Sequence, residues 1–264
     1  MDFKDAEIFL NVSLLYSGPP VLIVGKNGIG KTAMINEMVS KFKKAVFIPE
    51  RIDFGGLKQA ESQIVNLRIK TIAISDMQNI LSRKSGIRNS TMGLLSSWMS
   101  EGAGGHELGF GNIQLTNKVN KKAENPINIV AAATPNHLGD MISYGYIDFL
   151  DRCVILFVSR SNENFFEKEF KLEHNPILKP DMEKYKNIMK LKLTVDSQRH
   201  SVYVKKIVAG IASIGINPIE YLQRNLDSIN FISSEHVQNK DISAWLTRFS
   251  DDDIKKIKSL IDGV

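Results

Sequence analysis

The run GKNGIGKT, from Gly25 to Thr32, sets glycines at fixed spacing ahead of a lysine and a hydroxyl residue. This is the GxxxxGK(S/T) pattern, and its chemistry is phosphate binding. Gly25, Gly28 and Gly30 let the backbone turn tightly. The N–H groups along Gly25, Lys26, Asn27, Gly28, Ile29, Gly30, Lys31, Thr32 and Ala33 can then converge on the oxygens of a nucleoside triphosphate. Lys31 is expected to reach the β- and γ-phosphates, and the Thr32 hydroxyl to ligate Mg²⁺. The competing reading is an ordinary glycine-rich turn. The flanks argue against it: four apolar residues, Val21 to Val24, read as a buried strand, and AMINEMVSKF reads as a helix. A helix start at this point adds partial positive charge where the phosphates would sit. The expected ligands are therefore ATP and Mg²⁺.

Such a loop needs a sheet to hold it. Apolar positions at helical spacing predict a helix over residues 4–16, ended by Ser17-Gly18-Pro19-Pro20. The helix after the loop spans 32–43, a second strand 45–49, a helix 57–68 and a third strand 70–75. A helical stretch at 90–100 leads into the glycine-rich segment EGAGGHELGFGN and a lysine-rich connection. Strands follow at 127–134 and 153–158. Strands alternating with helices predict an α/β fold, a mostly parallel sheet with helices on both faces. Residues 161–264 are charged and helical in period, with KLKLTV at 190–195 the one doubtful spot. The expected division is a nucleotide-binding αβα core over 1–160 and a smaller all-helical lid and extension over 161–264.

Further candidates stand at strand ends. The third strand closes with Ser75 and Asp76, and Asp76 is the sole carboxylate there. It can support the metal shell or act as the base toward water, or simply cap the next helix. Thr134 and Asn136 follow the fourth strand, where a polar side chain can report the γ-phosphate or serve only the turn. Arg152 precedes the fifth strand, too far from its own phosphates, but in a ring it can reach a neighbour's nucleotide. A surface Asp151–Arg152 pair is the alternative. Arg199 falls in the first turn of HSVYVKKIVAGIA, where it opposes the helix dipole, so a phosphate-facing role is preferred and Ser197 is the expected cap.

In this order the set resembles the AAA+ ATPase superfamily, over essentially the whole chain. ISDMQNI is similar to the IDEFDKM of minichromosome-maintenance helicases and the IDEI of MoxR-type ATPases. AAATPN is similar to their AAANP and ATQNP, FLDRCVILFV to ILSRFDLIFV, and DSQRH to SPRA. The segment over 90–100 with EGAGGHELGFGNIQL resembles the helix and hairpin that this clade inserts. The resemblance implies Thr134 or Asn136 as first sensor, Arg152 as arginine finger and Arg199 as second sensor. It also implies a ring-shaped, hexamer-like homo-oligomer. The departure is at the strand end, where Ser75 and Asp76 stand at the positions of an Asp and a Glu; this alignment favours Asp76 as the base with Ser75 holding a metal-bound water, and makes slow hydrolysis an expectation too.

Composition bounds the rest. The chain has 264 residues, 43% hydrophobic and 24% charged, with one cysteine, Cys153. That excludes a disulfide framework and suits a reducing, cytoplasmic setting. No apolar run reaches membrane-spanning length and the start is unlike a signal peptide, so no membrane role is expected. A net charge of +5 and a pI near 9.1 permit a polyanionic partner. The expected activity is ATP-driven remodelling of DNA or DNA–protein complexes, as initiator, helicase or helicase loader. A MoxR-type remodeller of protein partners and a weakly hydrolysing ATP-gated assembly protein are the alternatives. Phe54 in Arg51–Gly56, and Phe110 beside His106, are candidate channel-facing aromatics, read more readily as half-buried loop anchors.

Overall fold

Val21–Val24 (β1), Thr71–Ile74 (β3) and Asn128–Ala133 (β4) are buried at every position, as strands covered on both faces must be. In the computed structural model they form the centre of a six-stranded sheet of order β2-β3-β4-β1-β5-β6. Val46–Phe47 is β2, Val154–Phe157 is β5 and Ile229–Phe231 is β6. All neighbours pair in parallel except β5 and β6. The structure describes residues 1–15, 18–42, 46–49, 51–103, 126–159, 181–191, 199–232 and 250–262. The candidate hairpin with His106 and Phe110, the expected cap Ser197 and most of KLKLTV lie outside the described residues.

The two-residue period of the strands sorts the core into two layers. Val21 and Ile23 of β1 face one cluster, Leu22 and Val24 the other. The first layer is built by helices α1 (Phe3–Leu15) and α2 (Lys31–Lys41), with Phe9, Leu10, Met34 and Ile35 buried. The second is built by α3 (Phe54–Asn66), α4 (Gln78–Leu81), α5 (Ser85–Glu101), α6 (Pro135–Ser143) and α7 (Ile147–Asp151), packed around the wholly buried Trp98. The α/β, mostly parallel architecture expected from the strand and helix periods is therefore present.

One expectation is corrected. Residues 161–264 are not all helical, because β6 lies in this part and pairs antiparallel with β5, Leu156 opposite Ile229. Its three residues are all buried at the sheet edge. Helices α8 (Met182–Lys190), α9 (Arg199–Ser213), α10 (Pro218–Arg224) and α11 (Asp251–Asp262) supply the rest of the described C-terminal part. Val204, Ile207 and Val208 of α9, with Tyr221 and Leu222 of α10, join the same apolar cluster as α1 and β1. An ion pair between the exposed Arg224 and the buried Asp5 adds to this contact: Arg224 Nε and Nη2 donate to Asp5 at 2.9 and 2.8 Å, and Asn225 Nδ2 at 2.9 Å. Burial alone would raise the Asp5 pKa, but these donors hold its carboxyl below the usual range.

Candidate functional site

The strand order places β4 between β1 and β3, so the carboxyl ends of these three strands meet at one edge of the sheet. In open α/β sheets that edge is where ligands bind. The GKNGIGKT loop leaves β1 there. Gly28 and Gly30 have φ of 73° and 102°, a left-handed conformation that glycine adopts without a Cβ penalty. Gly25 is required for a different reason: a Cβ would lie 2.8 Å from the Val158 carbonyl oxygen. Lys31 arches back over the loop, its Nζ donating to the carbonyls of Gly25 at 2.8 Å and Lys26 at 2.7 Å. Burial pushes the Lys31 pKa down, opposed by the nearby charge of Asp76.

The first helical bond of α2 runs from Met34 N–H to the Gly30 carbonyl at 3.0 Å. The N–H groups of Lys31, Thr32 and Ala33 thus precede any helical partner and point out of the helix start. Lys26, Asn27, Gly28, Thr32 and Ala33 are exposed, while Ile29 is partly buried against the first core layer. A loop with solvent-facing donors, a helix N-terminus and a tethered ammonium fits a phosphate chain.

The β3 end meets this loop directly. Thr32 Oγ1 donates to the Ser75 carbonyl oxygen at 3.3 Å, which leaves the hydroxyl's lone pairs for a cation. Asp76 follows, its side chain about half exposed, and its Oδ1 accepts from Gln78 N–H at 2.9 Å. Met77 N–H donates to the Ala132 carbonyl at 2.8 Å, so the backbone at Asp76 is anchored on β4. Among the described residues no three or more of His, Cys, Asp and Glu gather to cage a metal. A Mg²⁺ ion here would rest on Thr32, phosphate oxygens and water, with Ser75 and Asp76 beside it, which is the usual way this ion is held near phosphates.

The β4 end contributes a residue that the sequence reading did not single out. Thr134 is the N-cap of α6: its Oγ1 accepts from His137 N–H at 3.2 Å, and His137 Nδ1 stands 3.5 Å from the Thr134 N–H. The Thr134 side chain is thereby engaged in turn chemistry, and Asn136 is exposed in the first turn of α6. His137 Nδ1 also lies 3.8 Å from Asp76 Oδ1. The available signal was the spacing of Thr134-Pro135-Asn136-His137, a capping box with histidine at its third helical position.

The two arginines lie elsewhere. Arg152 ends α7 two residues before β5, which runs parallel to β1 with Val154 opposite Val21, so it stands at the amino end of the strands. Its Nε donates to Ser100 Oγ at 2.8 Å and its Nη1 to the Asp148 carbonyl at 2.7 Å. Asp151 is not its partner. Instead Arg199 Nη1 is ion-paired with the Asp151 carboxylate, and His200 Nε2 lies 3.3 Å from the same group. The helix-dipole argument for a phosphate-facing Arg199 is weakened by this pair, because Asp151 offsets the conflict with the dipole of α9. His200 stacks on Phe231 at 4.7 Å and Tyr203 O–H donates to the Arg152 carbonyl at 3.1 Å, tying α9 to this edge. Cys153, buried beside them, has its thiol pushed far up by burial and is held protonated.

Around Arg51–Gly56, Asp53 caps α3, accepting from Gly56 N–H at 2.8 Å and pairing with Arg51 at 2.8 Å. These bonds, the backbone one foremost, hold its carboxyl below the usual range. Phe54, the first residue of α3 and not a loop residue as expected, is half-buried against the second core layer. No single helix among the described residues is long and apolar enough to cross a membrane. No family model and no curated protein matches this chain.

Proposed function

We propose that this chain is an ATPase of the AAA+ type, coupling ATP binding and hydrolysis to the remodelling of DNA or DNA–protein complexes. One observation carries the reading: Lys31, the Thr32 hydroxyl and the Asp76 carboxylate share one sheet edge, joined by the Thr32–Ser75 hydrogen bond. A loop that only turned the chain would need none of these groups.

In this reading the amides from Lys26 to Ala33 hold the β- and γ-phosphates, and Lys31 leaves the Gly25 and Lys26 carbonyls to pair with them. Thr32, with Ser75 and Asp76 beside it, would hold a Mg²⁺ ion, which would supply neutralisation of the charge that develops on the phosphates. Asp76 orients a water on the far side of the γ-phosphorus. The water oxygen bonds to phosphorus as the bond to the bridging oxygen breaks, and ADP leaves with that electron pair. Asp76 accepts the water proton and passes it to the released phosphate. Arg152 of a neighbouring copy meets the transition-state charge, exchanging Ser100 and Asp148 for phosphate oxygens. The basic charge of the chain favours DNA as the partner.

The test is turnover with and without single- and double-stranded DNA. DNA-stimulated hydrolysis with steep salt dependence of binding supports the reading. Stimulation by a protein partner alone assigns the MoxR-type function instead. A second reading, ATP-gated assembly with little turnover, is favoured by the single carboxylate at the β3 end, where Thr32 donates to a backbone carbonyl. Tight ATP binding without turnover, unchanged in Asp76→Asn, selects it.

A further inference from the structure

Asp76 is incompletely held for a catalytic base. Its Oδ1 accepts one backbone N–H, from Gln78, and its side chain is 46% exposed. A carboxylate turns easily about its last torsion, so one anchor at one oxygen does not fix where the other points. The His137 ring stands next to that same oxygen, its Nδ1 3.8 Å from Asp76 Oδ1. The ring side chain is only 15% exposed.

The ring is also well supported. It projects from the first turn of α6, whose start is fixed by the Thr134 cap and by Pro135, and whose inner face buries Leu138 and Met141. The same Nδ1 accepts from the Thr134 N–H at 3.5 Å, which completes the capping box. Neither distance is that of a strong hydrogen bond, so the ring sits between two partners, one an acceptor and one a donor. A rotation that carries Nδ1 onto Oδ1 gives up the Thr134 bond. When Nδ1 carries hydrogen, the contact it can close is the one to Asp76.

We propose that His137 is the positioning residue for Asp76. Its Nδ1–H closes on Oδ1 and, together with Gln78 N–H, fixes the carboxylate plane so that Oδ2 meets the attacking water. This rests on the ATPase reading of the site. It also explains how a lone, short aspartate at the β3 end can serve: the constraint that a second acid or a longer side chain would supply comes from the β4 side.

The test is steady-state ATP hydrolysis by the full chain. His137→Ala is expected to lower kcat about 10- to 100-fold with little change in KM, the effect of losing a group that orients a catalytic one. His137→Asn, whose Nδ2 takes the place of Nδ1, is expected to restore most of it. On an Asp76→Asn background, His137→Ala should cost nothing further, because the two act as one unit. A merely structural capping role predicts a different pattern: lowered thermal stability, and a loss that adds to that of Asp76→Asn. Either that additivity, or an unchanged kcat in a folded His137→Ala protein that still turns over ATP, overturns the inference alone. A wild-type chain that binds no ATP, or binds it without turnover, overturns the ATPase reading and this inference with it.

Discussion

The two ends of the sheet handle their polar groups in opposite ways. At the carboxyl end of β1, the N–H groups of Lys31, Thr32 and Ala33 precede any helical partner, and Asp76 keeps one oxygen free of the bond from Gln78. At the amino end of β5, Arg152 is bonded to Ser100 and Asp148, Arg199 is paired with Asp151, and Tyr203 closes on the Arg152 carbonyl. Polar groups left open at a structured edge are what a ligand needs, whereas satisfied ones stabilise the chain that carries them. In the proposed reading, ligand binding belongs to the first end. That reading makes any catalytic use of the second conditional on a neighbouring copy that offers Arg152 a better partner.

The largest expected effect tests that condition. Arg152→Ala should lower turnover about 10³- to 10⁵-fold in the assembled protein while leaving ATP binding intact. Its effect on stability should be small, within about 1 kcal/mol, since only partly exposed contacts are lost. Mixing this variant with Lys31→Ala protein should restore some turnover through hybrid interfaces. No rescue in mixed oligomers, with both variants folded, would assign Arg152 to structure alone. Next in size is Asp76→Asn, expected to reduce turnover about 10²- to 10⁴-fold with ATP affinity retained. An equal kcat in wild type and variant would remove Asp76 from the chemistry. Gly25→Ala follows: forcing a methyl against the Val158 carbonyl should cost about 1–3 kcal/mol in chemical denaturation and weaken nucleotide binding with it.

The smallest effect is a control away from both ends. Asp5 is buried and its pKa is lowered in the folded chain, so its contribution is present above its ordinary carboxylate value and is lost as pH falls through the folded one. Arg224→Ala should cost roughly 0.5–1 kcal/mol at neutral pH, since the guanidinium is largely solvated, and the difference from wild type should shrink below about pH 4. A difference that grew in acid would contradict the pairing.

The sequence was most legible where chemistry and pattern are local. The phosphate loop needs its glycines, lysine and threonine within one turn, and β1, β3, β4 and β5 are apolar runs bounded by turn residues. Those elements stand within a residue or two of the positions that the pattern predicts. What was not legible depends on distant partners. β6 is only Ile229–Phe231, too short for a period, and is a strand because β5 offers it an edge. The capping role of Thr134 is local and could have been read. The approach of His137 to Asp76 could not, because it depends on β4 lying beside β3. Likewise Arg199 reads as a misplaced charge in its own helix, and only the fold brings Asp151 to it from 48 positions away. Short-range rules find the glycine-rich loop, and tertiary pairing decides which other charges stand beside it.

The most direct test of the central claim is isothermal titration of ATP with Mg²⁺ into the folded protein. The account predicts saturable heat that Lys31→Ala abolishes or weakens at least about tenfold, a change of about 1.4 kcal/mol or more. No heat from wild-type protein whose fold is verified by circular dichroism, or the same isotherm from Lys31→Ala, would contradict it.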